Sequence, residues 1–212
     1  IHRHISRIVD IRRDAFVANS LVDMYAKCGL LAEARRIFNE IPVQDLVSWT
    51  TMIGGYSENG HEEEALFCFE RMQKEGIIPN AITFVFALKA CGSIGCLDIG
   101  EEIHAEIKEL GSLEKEIDVG NALLEMYVKC GALEKAQEVF QTLSEHNVVL
   151  WNILISGYAQ QGLSVAVMRN FRQMLNESDF ADVVTYICVL KSCGSEGSVS
   201  IVKAIHTEVK EQ

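Results

Sequence analysis

The dipeptide Ile-His stands at residues 1–2, 103–104 and 205–206, and the interval of 102 residues holds across almost everything between. It carries Asn19 onto Asn121, Tyr25 onto Tyr127, Lys27-Cys28-Gly29 onto Lys129-Cys130-Gly131, and Phe38 onto Phe140. It also carries Trp49 onto Trp151, Gly55-Tyr56 onto Gly157-Tyr158, and Lys89, Cys91 and Gly92 onto Lys191, Cys193 and Gly194. A chain that repeats itself at fixed register is built from modules that stack, because each module buries its apolar face only against its neighbours. Within each period sit three shorter units, hinged on Gly29, Gly60 and Gly95, then on Gly131, Gly162 and Gly197. With each hinge as the fifteenth residue, the units run 15–45, 46–80, 81–116, 117–147, 148–182 and 183–212, with residues 1–14 as the tail of a preceding one.

Each unit reads as two helices. Before the hinge, Leu21, Met24 and Tyr25 or Ile53 and Tyr56 recur at helical spacing; after it, Ala34, Ile37 and Phe38 or Ala65, Leu66, Phe69 and Met72 do the same. A hinge glycine suits a left-handed helix terminus, and Pro42 and Pro79 fall only between units, where they break no helix. The expected fold is all-α: a right-handed superhelical α-solenoid of helix-turn-helix repeats, with a concave and a convex side.

Composition narrows the function. The formal charge is −11, from 30 acidic and 19 basic residues, which argues against nonspecific attraction to nucleic acid. The 7 Cys are odd in number and contain no CxxC pair, which fits free thiols in a reducing compartment. Cys28, Cys91, Cys130 and Cys193, near the ends of first helices, read as small buried packing residues. No apolar run approaches the roughly 18 residues needed to span a bilayer, so no membrane is expected. Three HxE triplets (His61-Glu62-Glu63, His104-Ala105-Glu106, His206-Thr207-Glu208) provide half of a zinc deaminase signature, but the PCxxC half is absent. No phosphate loop or nucleophile elbow occurs. Gly92-Ser93-Ile94-Gly95 and Gly194-Ser195-Glu196-Gly197 read as interhelix turns. No catalytic residue, metal or cofactor is expected. The Arg-rich start, residues 1–13, aligns with 103–115 of the next period and so reads as a second helix rather than a transit peptide. The chain is expected to be a segment of a longer protein, and to self-associate through exposed terminal faces at Ile1 and Gln212.

YAKCG, EARRIFNEIP, LVSWTTMIGGYSENG, EALFCFERMQKEGIIPN and LKACGSIGCLDIGEEIHAEI resemble the pentatricopeptide repeat proteins of plants over the whole chain. The 31/35/36 alternation of unit lengths is similar to their PLS subclass of short S, standard P and long L motifs. In those terms 15–45 and 117–147 are S motifs, 46–80 and 148–182 P motifs, and 81–116 an L motif. Residues 1–14 and 183–212 are then parts of truncated L motifs.

The resemblance implies single-stranded RNA as partner, about one base per motif, selected by the fifth and the last residue. Asn19 with Asp45 resembles a uridine reader, and Thr50 with Asn80 an adenosine reader. A short hydroxyl leaves room for a purine, and an Asn amide both donates and accepts. Asn121 with Asn147 resembles a cytidine-preferring pair that tolerates uridine, and Asn152 with Asp182 a uridine reader. Val85 and Ile187, at the fifth position of the L motifs, have no hydrogen-bonding group. The implied footprint is 5′-U-A-n-C/U-U-n-3′. The resemblance further implies base-sandwiching by Phe16, Val47, Ile82, Val149 and Val184, the second residues of their motifs; Asp118 stands at that place in the second S motif. Lys27 and Lys129 resemble phosphate-contacting lysines, with Glu58 and Gln160 at the equivalent P positions.

The acidic surplus lies in second helices and linkers, as in His61-Glu62-Glu63-Glu64, Glu101-Glu102, Glu106 and Glu109, and reads as a solvated outer face more than a Debye length of about 8–10 Å from the groove. Binding is therefore expected to be weak and carried by hydrogen bonds and sandwiching. The family implies a mitochondrion or chloroplast and a role in RNA processing, most often cytidine-to-uridine editing, with L motifs engaging accessory proteins. The alternative from another class is a protein–protein scaffold of the tetratricopeptide kind.

Overall fold

The computed structural model describes residues 14–111, 116–177 and 181–196, with side chains through 192. Among them all regular structure is helical. The helices are α1 Ala15–Lys27, α2 Leu31–Glu40, α3 Leu46–Glu58, α4 Glu62–Lys74, α5 Ala81–Ile94 and α6 Leu97–Leu110. They continue with α7 Ile117–Lys129, α8 Leu133–Thr142, α9 Val148–Gln160, α10 Ser164–Glu177 and α11 Val183–Glu196. No described helix is long and apolar enough to cross a membrane. The rest of the expected helix over residues 1–14, His2, His206, Gly197 and both terminal faces lie outside the described residues.

The chain forms two compact units, residues 1–119 and 120–212. In the first, α1 packs on α2, α3 on α4 and α5 on α6, while successive first helices α1, α3 and α5 pack side by side. In the second, α9 pairs with α10 and packs against α8 and α11. Each unit is thus a stack of helix-turn-helix hairpins.

The turns show why glycine marks them. Gly29 (φ 72°), Gly60 (φ 75°), Gly95, Gly131 and Gly162 all hold the left-handed conformation. The residue beyond each glycine sends its N–H back to a carbonyl five residues earlier: Leu30 to Tyr25 at 2.9 Å, His61 to Tyr56 at 3.0 Å, Cys96 to Cys91 at 3.0 Å. This is the Schellman closure, which satisfies carbonyls the helix end would otherwise leave bare. Gly92, Ser93 and Ile94 correct the turn reading: they are the last residues of α5, and Gly95 alone turns the chain. Gly194, Ser195 and Glu196 likewise belong to α11.

Several identities at the 102-residue interval are core positions, Phe38, Trp49 and Tyr56 with Phe140, Trp151 and Tyr158 among them. Trp49 (1% exposed) meets Phe38 edge-on at 4.8 Å, and Trp151 meets Phe140 in the same way at 4.5 Å. Gly55 and Gly157 let first helices touch: an added Cβ would stand 2.7 Å from Ala26 Cβ and 2.7 Å from Val128 Cγ1, respectively. Side chains also bridge hairpins. Asn59 Nδ2 donates to Ala26 O (3.0 Å) and Gly55 O (2.7 Å), and Gln161 Nε2 donates to Gly131 O (3.0 Å). Of the cysteines read as buried, Cys91 is buried and Cys130 half-buried, but Cys28, the residue that caps α1, is exposed. Cys193 lies outside the described side chains. His104 is buried in α6, and His61 is the exposed residue that starts α4.

Candidate nucleic-acid interface

Five first helices begin on a short polar side chain that accepts from their own N-terminal N–H groups. Asp14 Oδ1 accepts from Phe16 and Val17, Asp45 Oδ1 from Ser48 at 2.9 Å, and Asn80 Oδ1 from Thr83 at 2.9 Å. Asn147 Oδ1 accepts from Leu150 at 3.0 Å and Asp182 Oδ1 from Thr185 at 2.9 Å. The expected base-selecting residues Asp45, Asn80, Asn147 and Asp182 are therefore also helix N-caps. The Ser48 N–H holds the Asp45 carboxyl below the usual aspartate range. At Asp182 burial works against ionisation, but the Thr185 N–H and the Asn152 amide outweigh it and lower the pKa.

The fifth residues lie one helical turn in, on the neighbouring first helix. Asn152 Nδ2 donates to both oxygens of Asp182, each at 3.0 Å, so these two side chains meet directly. Thr50 and Asn80 are joined through a third residue: Thr50 Oγ1 lies 2.7 Å from Thr83 Oγ1, whose hydroxyl donates to Asn80 Oδ1 at 2.8 Å. Asn19 and Asn121 differ. Their Oδ1 atoms are buried and accept no hydrogen bond, and neither side chain is seen bonded to Asp45 or Asn147.

The second residue of the same helices is apolar yet exposed: Phe16 (81%), Val47, Ile82, Val149 and Val184 (52%). A lone exposed valine needs no explanation; the same register exposed on α1, α3, α5, α9 and α11 does. On α7 that place is taken by exposed Asp118. In the first unit Thr50, Ile82, Lys27, Gly54 and Phe86 line one open hollow of about 310 Å³ with Asp23 and Glu58. Both expected phosphate lysines are engaged one turn back: Lys27 Nζ with Asp23 at 2.8 Å and Lys129 Nζ with Glu125 at 2.9 Å. Such exposed pairs are worth little and open readily for a stronger anion.

Missing from the sequence reading are the N-cap role and the hydroxyls of Ser48, Thr83 and Thr185. The signal was present as Asp45-x-x-Ser48, Asn80-x-x-Thr83 and Asp182-x-x-Thr185, the spacing at which a cap meets its third helical residue.

Stacked helical hairpins whose first helices share one polar and apolar register define an α-solenoid repeat protein. Models of the pentatricopeptide repeat match residues 44–93 and 146–195 (PPR repeat family) and residues 16–45 and 121–148 (PPR repeat). The chain belongs to the pentatricopeptide repeat family. A mitochondrial pentatricopeptide repeat-containing protein of Arabidopsis thaliana is 38% identical over 188 residues, covering 88% of this chain and 27% of its own. A chloroplastic one from the same plant is 36% identical over 200 residues, covering 94% of this chain and 32% of its own. The chain thus spans about a third or less of these curated relatives. Among solved structures, the maize pentatricopeptide repeat protein PPR10 in complex with an 18-nt psaJ RNA element superposes with TM-score 0.71 at 19% identity, over 99% of this chain and 32% of that one. The PPR domain of A. thaliana protein-only RNase P 1, in complex with tRNA, gives TM-score 0.65 at 16% identity, over 82% of this chain and 95% of that one. At those identities the likeness establishes the α-solenoid fold.

Proposed function

We propose that this chain is the recognition part of an RNA-binding protein, reading single-stranded RNA at about one base per hairpin with the footprint 5′-U-A-n-C/U-U-n-3′. The observation that carries the reading is convergence. Asn152 and Asp182 come from positions 30 residues apart yet bond side chain to side chain at 3.0 Å, on helices whose second residues, Val149 and Val184, stay exposed. A polar pair beside exposed apolar side chains offers a base both an edge to bond and a surface to stack against. RNA seen with PPR10 and tRNA seen with RNase P 1 support RNA as the ligand class. The same reading divides the chain into S, P and L motifs at the boundaries above and gives Lys27 and Lys129 the phosphate contacts. Relatives named mitochondrial or chloroplastic support an organellar RNA-processing role, with editing as its specific form, and no catalytic step assigned to these residues.

A second reading, a protein–protein scaffold, is favoured by one feature. On α4 and α6, Phe67, Leu66, Ile99 and Ile103 line a cavity of about 400 Å³ rimmed by Glu70, Glu102 and Glu106, away from the polar pairs and suited to an accessory protein. The two are separated by fluorescence anisotropy with an RNA carrying U-A-n-C-U against scrambled RNA and DNA of the same sequence. Preference for the first supports base reading; equal affinity for all three leaves the scaffold.

A further inference from the structure

Three oxygens at the Thr50–Asn80 step have a fixed proton order. The Thr83 backbone N–H can only donate, and it lies 2.9 Å from Asn80 Oδ1. The Asn80 amide is therefore turned with its oxygen toward the helix and its NH2 away from it. The Thr83 hydroxyl gives its single proton to that same oxygen at 2.8 Å. At the 2.7 Å contact with Thr50, Thr83 must then accept and Thr50 must donate. Thr83 is completely buried, so no water competes for these bonds. What remains for a ligand is an N–H donor on Asn80 and an oxygen lone pair on Thr50.

We propose that the buried hydroxyl three residues after the base-selecting N-caps Asn80 and Asp182 is a third specificity-determining group, which sets the donor and acceptor polarity of the two side chains above it. Thr83 and Thr185 act in this way, as positioning residues that touch no base. The inference rests on the RNA reading above and says which bases each step admits. A donor on Asn80 beside an acceptor on Thr50 fits a ring nitrogen without hydrogen next to an exocyclic amine, as on adenine. It refuses the ring N–H of uracil or guanine.

Thr185 sets the opposite polarity at its own step. Its hydroxyl lies 2.6 Å from Asn152 Oδ1 and 2.9 Å from Asp182 Oδ1, while Asn152 Nδ2 points to the Asp182 carboxylate. The single hydroxyl proton goes to Asn152 Oδ1, the shorter contact, so the Asn152 amide is held at both ends. Asp182 keeps the Thr185 N–H and Asn152 Nδ2 as donors and is left as an acceptor suited to the ring N–H of uracil. Thr185 is as fully buried as Thr83.

The two other steps serve as controls within the chain. Ser48 spends its hydroxyl on Asp45 at 2.9 Å, and Leu150 has none to give. At those steps Asn19 Oδ1 and Asn121 Oδ1 are buried without a partner. Where the hydroxyl after the cap also reaches the fifth residue, as Thr83 and Thr185 do, that residue is oriented. Where the hydroxyl bonds the cap alone, as at Ser48, or is absent, as at Leu150, it is not.

The test uses the full chain and labelled RNAs U-X-n-C-U with X as A, C, G or U, and a parallel set varied at the fifth nucleotide. Thr83→Val removes the hydroxyl but keeps shape and the backbone cap. It is expected to lower the A-over-U and A-over-G affinity ratios at the second nucleotide roughly 3- to 10-fold, the equivalent of one lost hydrogen bond. The uridine preference at the fifth nucleotide should stay unchanged in this variant. Thr83→Ser restores a hydroxyl and should hold the ratio within about 2-fold of the parent. Thr185→Val is the independent second case and should erode only the fifth-nucleotide preference, so the inference stands testable if one variant does not fold. A purely structural role would weaken all RNAs alike. Unchanged ratios in a folded valine variant overturn the inference and leave the RNA reading standing. A parent chain that binds all four X equally overturns both.

Discussion

Exchanging Thr50→Asn together with Asn80→Asp rebuilds, at one step, the side chains that Asn152 and Asp182 present at another. The Thr83 hydroxyl is already placed to donate to the introduced amide oxygen as Thr185 donates to Asn152 Oδ1 (2.6 Å). Preference at the second nucleotide should move from A to U by about 1–3 kcal/mol, the usual worth of a good base contact, as read from competition titrations. Acid gives a second handle. Because the folded pKa of Asp45 lies below its unfolded value, this cap stabilises the fold fully above the ordinary aspartate pKa of about 4. The contribution is lost as pH falls through the depressed value. Asp45→Asn keeps a cap but has no charge to titrate. It should match the parent in melting temperature near neutral pH and fall less steeply below about pH 4 in a pH series of thermal melts. The choice of the fifth and last residues of each motif came from the family resemblance. Their orientation was not legible in the sequence, since it depends on which hydroxyl a helix start brings within hydrogen-bonding reach, a matter of three dimensions that no linear spacing settles.

Between elements, two kinds of glycine do different things, and the same substitution separates them. Gly60 has φ 75° and open space around an added Cβ, so Gly60→Ala meets only the left-handed backbone penalty of about 1–2 kcal/mol. Gly55 sits in a helical backbone, but its added Cβ would stand 2.7 Å from Ala26 Cβ, an atom fixed to the neighbouring helix. Gly55→Ala must push α1 and α3 apart, costing about 1–3 kcal/mol, and should also loosen the Asn59 bridge to Ala26 O. Thermal melts give both costs; amide exchange in α1 should speed up only for Gly55→Ala. The hinges were readable because only glycine readily tolerates a left-handed φ, which leaves a mark in sequence. The packing glycines at 55 and 157 were visible as repeats, but their reason, contact with Ala26 and Val128, needed the packed helices. Cys28 misled because its repeat position is shared with the half-buried Cys130, and identity of position did not carry identity of burial.

Across the whole chain, charge sets how binding responds to salt. With a net charge of −11 and Lys27 and Lys129 each already facing an acid, few counterions are available to release. The slope of log affinity against log salt should not exceed about 2 in magnitude. Lys27→Ala or Lys129→Ala should each reduce it by about 0.7, the single-strand value per phosphate. A steep slope would mean that a basic surface outside these residues supplies the affinity. Asp45, Asn80, Asn147 and Asp182 each open a helix with the same side chain that the proposed RNA reading offers to a base. That double duty restricts the alphabet from which new target sequences can be spelled. Substitutions among Asp, Asn, Ser and Thr change the message and keep the grammar. Any other side chain except glycine forfeits about 1 kcal/mol of helix initiation at every site where it is written, so a lineage drifting toward new transcripts would be steered along the handful of residues that can also begin a helix.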